Sequence, residues 1–492
     1  MNKMIGKLYP KTRVSAEELA RKFPHYSNNI LTRPDVSRRG FFKAAAAGLG
    51  GSFLLGQQAR AQSQIVVNSG MKTKGTAKNC IVIHLVGAMS HTDTFDLKFQ
   101  TGVQPASFNP TMVNGTNWPM GLMPKIGNHL GDVGIIRSMS AHALVHSLAQ
   151  TWVQIGRNPA AALGDIAPNV GSVIAIEKEK ERKAGQVLPT FIGLNAGAAV
   201  GPGYLSAAYA PFQVSNPRVG NTGVSDTTNS RASTQTAFDI LFNKLQGYDG
   251  SLRVQAPYGS ALQDMDALYA QAHGMMYSPA INAAFGVAQT DSNRYGTGSA
   301  STTFGNACLV AKQILAADQG TRFIQIDFGS WDHHTDIYGT ANPNGSNVIT
   351  MGTQLDNGVG AMLDDLKSAG LFDQTLVVIL GEFGRTTGTI TAAGGRDHFL
   401  IQSAMMAGGG IKGGTVIGTT NALGSAITDF GWAGSSTAPN RNAWAEDIES
   451  TIYSAMGVDW TTIRYDDPFK RGYEYVPFAS IGTYGPINEL FK

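Results

Sequence analysis

Short apolar runs alternate with helical periodicities along most of the chain. Residues 80–87 form a run that is apolar except at His84, which predicts a strand buried on both faces, as in parallel sheets. Residues 322–328 and 375–381 predict two further strands, and a helical pattern over 351–368 lies between them. This strand–helix–strand order predicts a right-handed crossover unit and therefore a parallel α/β sheet.

The pattern becomes looser between residues 195 and 301, where Gly, Ser, Thr, Asn and Pro dominate. We interpret this stretch as a loop-rich cap or insertion on the sheet, within a single domain that spans residues 62–492. The remaining predicted elements are weaker strands at 133–137 and 188–194 and helices at 234–247, 260–275, 278–288, 304–317 and 444–456.

The first 61 residues have the organisation of an export leader. Arg38 and Arg39 precede a short apolar run at 44–56, and Ala59-Arg60-Ala61 follows it. This order predicts a signal peptide that is cleaved near Ala61, and the paired arginines predict the twin-arginine translocase as a partner. Thirteen weakly apolar residues are too few to span about 30 Å of hydrocarbon, so we expect a periplasmic or secreted protein without a permanent membrane anchor. The alternative is a basic helix start before a buried, alanine-rich helix.

The leader accounts for the positive net charge. It holds 11 of the 38 basic and 3 of the 35 acidic side chains, which leaves 27 basic and 32 acidic side chains in residues 62–492. The predicted mature protein therefore carries a net charge of −5. Nucleic-acid binding is not expected, because no basic surplus remains to neutralise phosphates.

Two cysteines limit the sulfur chemistry. Cys80 and Cys308 are too few for a disulfide framework or a thiolate metal site. A single bridge can form in an oxidising compartment, but we expect two buried free thiols. Only 15% of residues are charged and 42% are hydrophobic, so the chain has enough apolar material for a large core.

Polar side chains concentrate just beyond the predicted strands, where open parallel sheets place their sites. Seven of the ten histidines lie within or beside four short segments that also carry carboxylates or hydroxyls. Carboxylate and imidazole groups without cysteine are ligands for Zn, Mn, Mg or Ca. The segments are Ser90 to Asp96, Ser138 to Ser147, Asp327 to Asp336 and Gly381 to His398.

These residues also have purely structural interpretations, which the sequence leaves open. Asp332 and His334 fit a solvated loop, and Glu382 fits an ion pair with Arg385. Ser147 fits the surface of a helix. The remaining interpretations are capping roles for His91, Asp93, Asp397 and His398, and a satisfied core histidine at His84.

Four motifs stand out in these segments: Ser90-His-x-Asp-Thr-Phe-Asp96, Gly329-Ser-Trp-Asp-x-His334, Gly381-Glu-Phe-Gly-Arg-Thr386 and Gly395-Arg-Asp-His398. Together they resemble the family called domain of unknown function 1501, over residues 78–475. That family is grouped with the alkaline-phosphatase-like superfamily, alongside sulfatases and phosphoglycerate mutases. The resemblance implies a doubly wound, mostly parallel α/β sheet with a site for two divalent ions.

The resemblance also implies roles for individual residues. Arg385, or alternatively Arg137, would bind an anionic substrate, and Ser147 would be the nucleophile with His146 as a neighbouring ligand or base. The metal ligands would be Asp93 (with Asp96 as second choice), Asp332, His334, Glu382, Asp397 and His398.

The function implied is an exported, metal-dependent hydrolase of phosphate or related anionic esters, either small molecules or polymers. A formylglycine sulfatase is excluded, because neither Cys80 nor Cys308 stands in a C-x-P/A-x-R setting. Glu382 lacks the adjacent histidine of the superfamily pattern, which favours a rival hypothesis: a catalytically decayed binding or structural protein at the cell surface. A single structural calcium or zinc site is the third alternative.

Overall fold

An eight-stranded sheet organises the computed structural model, which describes residues 66–67, 69–215, 217, 234–253, 260–297 and 303–492. The predicted signal peptide at 1–61 lies outside the described residues. Residues Val66–Lys492 group into one compact unit. No helix within the described ranges is long and apolar enough to cross a membrane.

The described residues form seventeen strands and ten α-helices. The strands are β1 (Val66–Val67), β2 (Asn79–Leu85), β3 (Pro110–Val113), β4 (Thr116–Pro119), β5 (Val133–Ser140), β6 (Phe191–Leu194), β7 (Phe212–Val214), β8 (Phe323–Phe328), β9 (Thr375–Gly381), β10 (Gly384–Arg385), β11 (His398–Phe399), β12 (Ile401–Ala407), β13 (Thr415–Ile417), β14 (Thr419–Thr420), β15 (Ile427–Asp429), β16 (Ile463–Arg464) and β17 (Tyr473–Glu474). The helices are α1 (Pro124–Asn128), α2 (His146–Ile155), α3 (Val170–Lys178), α4 (Gln235–Arg253), α5 (Ser260–Met276), α6 (Pro279–Ala284), α7 (Gln289–Arg294), α8 (Thr303–Ala317), α9 (Val348–Ser368) and α10 (Ala445–Ala455).

The main sheet is mostly parallel, with strand order β13-β5-β12-β9-β2-β8-β6-β7. Strand β12 is antiparallel to both β5 and β9, and every other adjacent pair is parallel. Strand β2 lies between β8 and β9, so the connection through α9 crosses over β2. The predicted α/β fold class with a mostly parallel sheet is confirmed.

Each face of the sheet is covered by a hydrophobic core, which explains the continuous apolar run of β2. Ile81, Ile83 and Leu85 point into the core that contains α8 and α9. Cys80 and Val82 point into the opposite core, which contains α3 and α10. Alternate side chains of a strand face opposite sides, so a strand with both faces covered is mostly apolar; His84 is the polar residue within the apolar run of β2.

This arrangement separates the two cysteines. Cys80 lies in one core and Cys308 in the other, and both are buried free thiols. Burial in apolar surroundings raises the pKa of both thiols, which makes them unreactive. The expectation of buried free thiols is confirmed.

The pattern missed three strands of the main sheet, β7, β12 and β13. Strand β12 has the sequence Ile-Gln-Ser-Ala-Met-Met-Ala, in which alanine and methionine give little strand preference. Strand β7 lies inside the stretch assigned to the cap, yet it pairs in parallel with β6 at the edge of the sheet. The predicted helices of that stretch correspond to α4, α5 and α6.

A buried carboxyl group on α10 carries a strongly shifted pKa. Glu449 is 5% exposed, and burial raises its pKa to about 8, with Glu446 adding to the shift and Arg157 opposing it. Its Oε1 atom accepts a hydrogen bond of 2.8 Å from the hydroxyl of Tyr453. Gly156 has a φ of +54°, and a Cβ atom there would lie 1.3 Å from Glu449 Oε2. Only glycine lets the chain approach the carboxyl group so closely.

The stability of the fold should therefore fall as the pH rises from 4.5 to about 8, because unfolding releases the Glu449 proton in this window. This contribution is complete below pH 4.5, the ordinary pKa, and is lost by pH 8. The expected slope is up to about 1.4 kcal/mol per pH unit. Glu449→Gln should remove that slope in denaturant unfolding measured across the window. The exposed control Glu181→Gln should keep it, and an unchanged slope in Glu449→Gln would contradict the assignment.

Candidate metal centre

Four side chains converge beyond the carboxyl ends of the central strands. His146 is the first residue of α2, Asp332 and His334 lie in the loop after β8, and His398 is the first residue of β11. One donor atom from each lies within 4.8 Å of the other three, and we call this group the histidine–aspartate cluster. It is the one such grouping of three or more ligand-type side chains among the described residues.

The Oδ1 atom of Asp332 is the centre of the cluster. It lies 3.3 Å from Nε2 of His146, 3.0 Å from Nε2 of His334 and 3.8 Å from Nε2 of His398. The Nε2 atoms of His334 and His398 are 3.0 Å apart. Tetrahedral ligands with bonds of about 2.1 Å lie about 3.4 Å from one another, so the spacing of the donors fits a metal ion.

The other ring nitrogen of each histidine faces an oxygen atom. The three pairs are His146 Nδ1 with Glu382 Oε1 at 2.8 Å, His334 Nδ1 with Asp397 Oδ1 at 2.9 Å, and His398 Nδ1 with the Leu144 carbonyl at 2.7 Å. A carbonyl or carboxylate oxygen accepts a hydrogen bond, so each Nδ1 carries the proton of the neutral ring. Each Nε2 atom then carries a lone pair that is directed at the cluster. Metal-binding histidines are held in this way.

Electrostatics favour a neutral ring at His398 and an ionised carboxylate at Asp332. Burial lowers the pKa of His398, which keeps its imidazole unprotonated. Burial opposes ionisation of Asp332, but the Arg385 guanidinium outweighs it and lowers the pKa of the carboxyl. Lone pairs and a negative charge thus face one another across about 3 to 4 Å. The Arg385 guanidinium supplies one positive charge at the edge of this group, through its contact with Asp332 Oδ1.

Glu382 accepts a hydrogen bond from Nδ1 of His146, on the side of the ring that faces away from the four converging donors. It is 1% exposed and also accepts hydrogen bonds from the Gly87 N–H at 2.9 Å and Gln150 Nε2 at 3.1 Å. Burial opposes its ionisation, yet the hydrogen bonds from His146 and Gln150 lower the pKa of Glu382. The same bond raises the pKa of His146. Glu382, expected as a metal ligand, has the contacts of a residue that orients one.

Asp397 and Asp93 also lie apart from the four converging donors. Asp397 has a side chain that is 62% exposed and contacts the cluster through Nδ1 of His334. Asp93 is fully buried, and its Oδ2 accepts a hydrogen bond of 2.8 Å from Nε of Arg396. The Tyr338 hydroxyl donates to the other oxygen at 2.9 Å. Asp93 therefore belongs to a buried ion pair.

Arg385 uses all five of its N–H donors within the protein. Its Nε donates to the Ala88 carbonyl at 2.9 Å, and Nη1 donates to the Arg396 carbonyl at 3.1 Å and faces His334 Nε2 at 3.3 Å. Its Nη2 contacts the Gly87 carbonyl and Asp332 Oδ1. The predicted substrate-binding arginine thus holds Asp332 in place. The alternative, Arg137, is paired with Asp96 at 3.2 Å.

Ser147 is exposed on α2, directly after His146. Successive residues of a helix point about 100° apart, so the rotation that directs His146 to the cluster turns Ser147 away from it. The family resemblance gave His146 the role of a ligand or base beside a nucleophile, and the structure makes it one of the four converging donors. The signal available in the sequence was a histidine in the polar segment that follows a predicted strand.

The buried Asp93–Arg396 pair yields a prediction that separates a structural role from metal ligation. Asp93→Asn should lower the free energy of unfolding by about 3–5 kcal/mol, because it leaves a buried guanidinium without its counter-charge. The folded fraction should bind the same amount of metal as the unsubstituted protein, measured by mass spectrometry after loading. Asp364→Asn, which removes a carboxylate that is 62% exposed, should change little. Loss of metal from folded Asp93→Asn would make Asp93 a ligand.

The chain is similar to several solved structures, but no curated protein matches it. Solved structures similar to it include a sulfatase from Pseudoalteromonas sp., with 13% identity over 78% of this chain and 68% of that chain and a TM-score of 0.38. A protein in the alkaline phosphatase superfamily from Vibrio parahaemolyticus has 12% identity over 82% of this chain and 71% of that chain, with a TM-score of 0.33. A phosphonate monoester hydrolase from Silicibacter pomeroyi has 12% identity over 78% and 73%, with a TM-score of 0.33.

The sequence profile of one family covers most of the chain. That family is described as a protein of unknown function (DUF1501), and its profile matches residues 77–468. The match contains the strand ends that carry all four residues of the histidine–aspartate cluster. The chain therefore belongs to the DUF1501 family.

Proposed function

We propose that this protein is a metal-dependent hydrolase of phosphate or related anionic esters. One divalent ion would be held by His146, Asp332, His334 and His398. The observation that carries the proposal is the convergence of three Nε2 atoms on one carboxylate oxygen, with each Nδ1 fixed by an oxygen acceptor. Neutral imidazole nitrogens together with a carboxylate are the ligands of many zinc sites, and metal-binding histidines have their other ring nitrogen held by an oxygen acceptor.

The donor types favour zinc or manganese. Three imidazoles and one carboxylate suit Zn²⁺ and Mn²⁺, whereas Mg²⁺ and Ca²⁺ prefer shells made of oxygen ligands. The cluster is also open to solvent, since the side chains of Asp332 and His334 are 45% and 41% exposed. A substrate can therefore reach the donors from outside the protein.

The residues around the cluster define what the chain itself contributes. A bound divalent ion would supply positive charge that stabilises an anionic ester and acidifies water. Arg385 holds the Asp332 carboxylate, and Glu382 holds the ring of His146. Arg385 and Arg396 give their donors to protein acceptors. The bound ion, and not these two arginines, would therefore neutralise the negative charge of the substrate.

A second candidate function is a binding or structural protein with one metal site. Four protein donors are enough to complete a tetrahedral zinc shell, as in structural zinc sites. Ser147 also favours this candidate, because its side chain is exposed and points about 100° away from that of His146. The two candidates differ in turnover and agree on metal binding.

Metal analysis combined with an activity screen tests both candidates. The purified protein loaded with Zn²⁺ or Mn²⁺ should hold about one ion per chain, because the cluster offers one set of four donors. Asp332→Ala and His398→Ala should lose the ion, whereas His129→Ala, a histidine outside the cluster, should retain it. The loaded protein should hydrolyse phosphomonoesters, phosphodiesters or sulfate esters, and Asp332→Ala should not.

The outcomes separate the hypotheses. Metal without turnover on any of these esters would favour the binding or structural candidate. Two ions per chain would return Asp93 to the ligand set. An unsubstituted protein that takes up no metal under loading conditions would refute both candidates. Ser147→Ala should retain its metal, and its rate of hydrolysis would test the predicted nucleophile.

We also propose that the protein is exported by the twin-arginine translocase to the periplasm or the medium. Arg38, Arg39 and the short apolar run that follows support this proposal. Replacing both arginines with lysine should retain the precursor in the cytoplasm, because that route reads the arginine pair. Cell fractionation measures the effect, and Arg33→Lys provides a matched control. Undiminished export of the double variant would rule out this route.

A further inference from the structure

A buried histidine of the central strand lies in line with the candidate metal centre. His84 is 1% exposed on β2 and stands in register with Asp327 of β8 and Leu380 of β9. Its Nδ1 lies 3.8 Å from Oδ1 of Asp327, and its Nε2 lies 3.7 Å from Oε2 of Glu382. The imidazole is thus held between two carboxylates that come from the neighbouring strands.

The polar atoms of this arrangement lack other partners. Both ring nitrogens of His84 and the Oε2 atom of Glu382 are buried without a hydrogen bond within the described part of the chain. Leaving buried polar atoms unpaired is costly, and each pair lies less than about 1 Å beyond hydrogen-bond distance.

Glu382 connects this pair to the cluster. Its Oε1 atom receives hydrogen bonds from His146, Gln150 and the Gly87 N–H, while its Oε2 faces His84. The orientation of the carboxylate therefore depends on both oxygens. Because Glu382 holds the ring of His146, any tilt of the carboxylate moves the His146 Nε2 atom away from the other three donors.

Asp327, on the other side of His84 from Glu382, is also held by hydrogen bonds. Asp327 Oδ1 accepts a hydrogen bond of 2.9 Å from Gln325 Nε2, and its Oδ2 accepts one of 3.3 Å from the Ala198 N–H. The Asp327 side chain is 7% exposed. Asp327 therefore provides a rigid support against which His84 can hold Glu382.

We propose that His84 is a positioning residue for the metal centre, acting through Glu382 on His146. The series Asp327–His84–Glu382–His146 aligns one of the four donors with the cluster. This inference deepens the proposed function, because it rests on the cluster holding a divalent ion. It also replaces the interpretation of His84 as a satisfied core histidine, since its ring nitrogens are unpaired.

The first test measures metal affinity, which does not depend on knowing the substrate. Zn²⁺ dissociation constants are measured by competition with a chromophoric chelator, and the coordination is followed by the visible absorption of the Co²⁺-loaded protein. His84→Leu should weaken Zn²⁺ binding about tenfold or more and change the Co²⁺ spectrum, in the range found for residues that orient metal ligands. His84→Gln keeps one N–H donor for Glu382, and it should restore part of the affinity.

His129 provides a matched control. It too lies between two carboxylates, with Nδ1 at 3.1 Å from Asp132 and Nε2 at 3.1 Å from Asp364, but it stands outside the cluster. His129→Leu should leave the Zn²⁺ affinity and the Co²⁺ spectrum unchanged even where the melting temperature falls. An equal loss of affinity in both leucine variants would show a general effect of destabilisation and would overturn the proposal.

A double-mutant cycle tests whether His84 acts through Glu382. Glu382→Gln alone should weaken Zn²⁺ binding by about 10- to 100-fold. Adding His84→Gln should then cause little further loss, because the two residues act on the same donor. Additive losses would overturn the proposal, and this cycle also serves if His84→Leu fails to fold. Unchanged affinity in folded His84 variants would refute the inference alone, whereas a parent protein without metal affinity would refute the proposed function as well.

Discussion

The close approach of two loops at Gly87 is the constraint on which the site depends. A Cβ atom at this residue, whose φ is +103°, would lie 2.6 Å from the backbone nitrogen of Asp332 and 2.9 Å from that of Trp331. Glycine alone lets the turn after β2 touch the loop after β8. The same residue donates its N–H to Glu382 and accepts from Arg385 through its carbonyl. The ends of β2, β8 and β9 are thus joined through one backbone unit.

Buried ion pairs connect these strand ends to the segment that carries His398. Arg385 and Arg396 are 1% and 0% exposed, and each is paired with an aspartate. The Asp93–Arg396 pair fixes the backbone directly before Asp397 and His398. A buried ion pair adds little net stability, because desolvation offsets the attraction between the charges. Its contribution here is positional: Asp93 supports the segment that carries His398.

Much of the fold and the membership of the cluster follow from the sequence. Continuous apolar runs predict β2, β8 and β9, and parallel strands bring their carboxyl ends to one edge of the sheet. Asp332, His334 and His398 are therefore expected to lie close together. Strand β12 was missed because alanine and methionine give a weak signal, and the turn at Asp93 gave no indication of a partner 303 residues away.

The distinction between a metal ligand and the residue that holds it was beyond the sequence. Glu382 and Asp397 have the right chemistry and follow the right strands, yet each contacts an Nδ1 atom and not the convergence point. That difference depends on side-chain directions over about 3 Å, which no spacing rule encodes. Ser147 is different, because helical geometry alone states that its side chain points about 100° away from that of His146.

The surroundings of the two aspartates favour one ion over two in the proposed metal centre. Asp93, the carboxylate that the family resemblance assigns to a metal, is paired with the buried guanidinium of Arg396. A divalent ion at Asp93 would add positive charge beside that arginine in a region without solvent, where repulsion is strong. Asp332 is also paired with an arginine, Arg385, but its carboxylate lies at a surface that water reaches and three imidazole nitrogens face it. The two sites therefore differ in their donors and their access to water, and both differences place the proposed ion at Asp332.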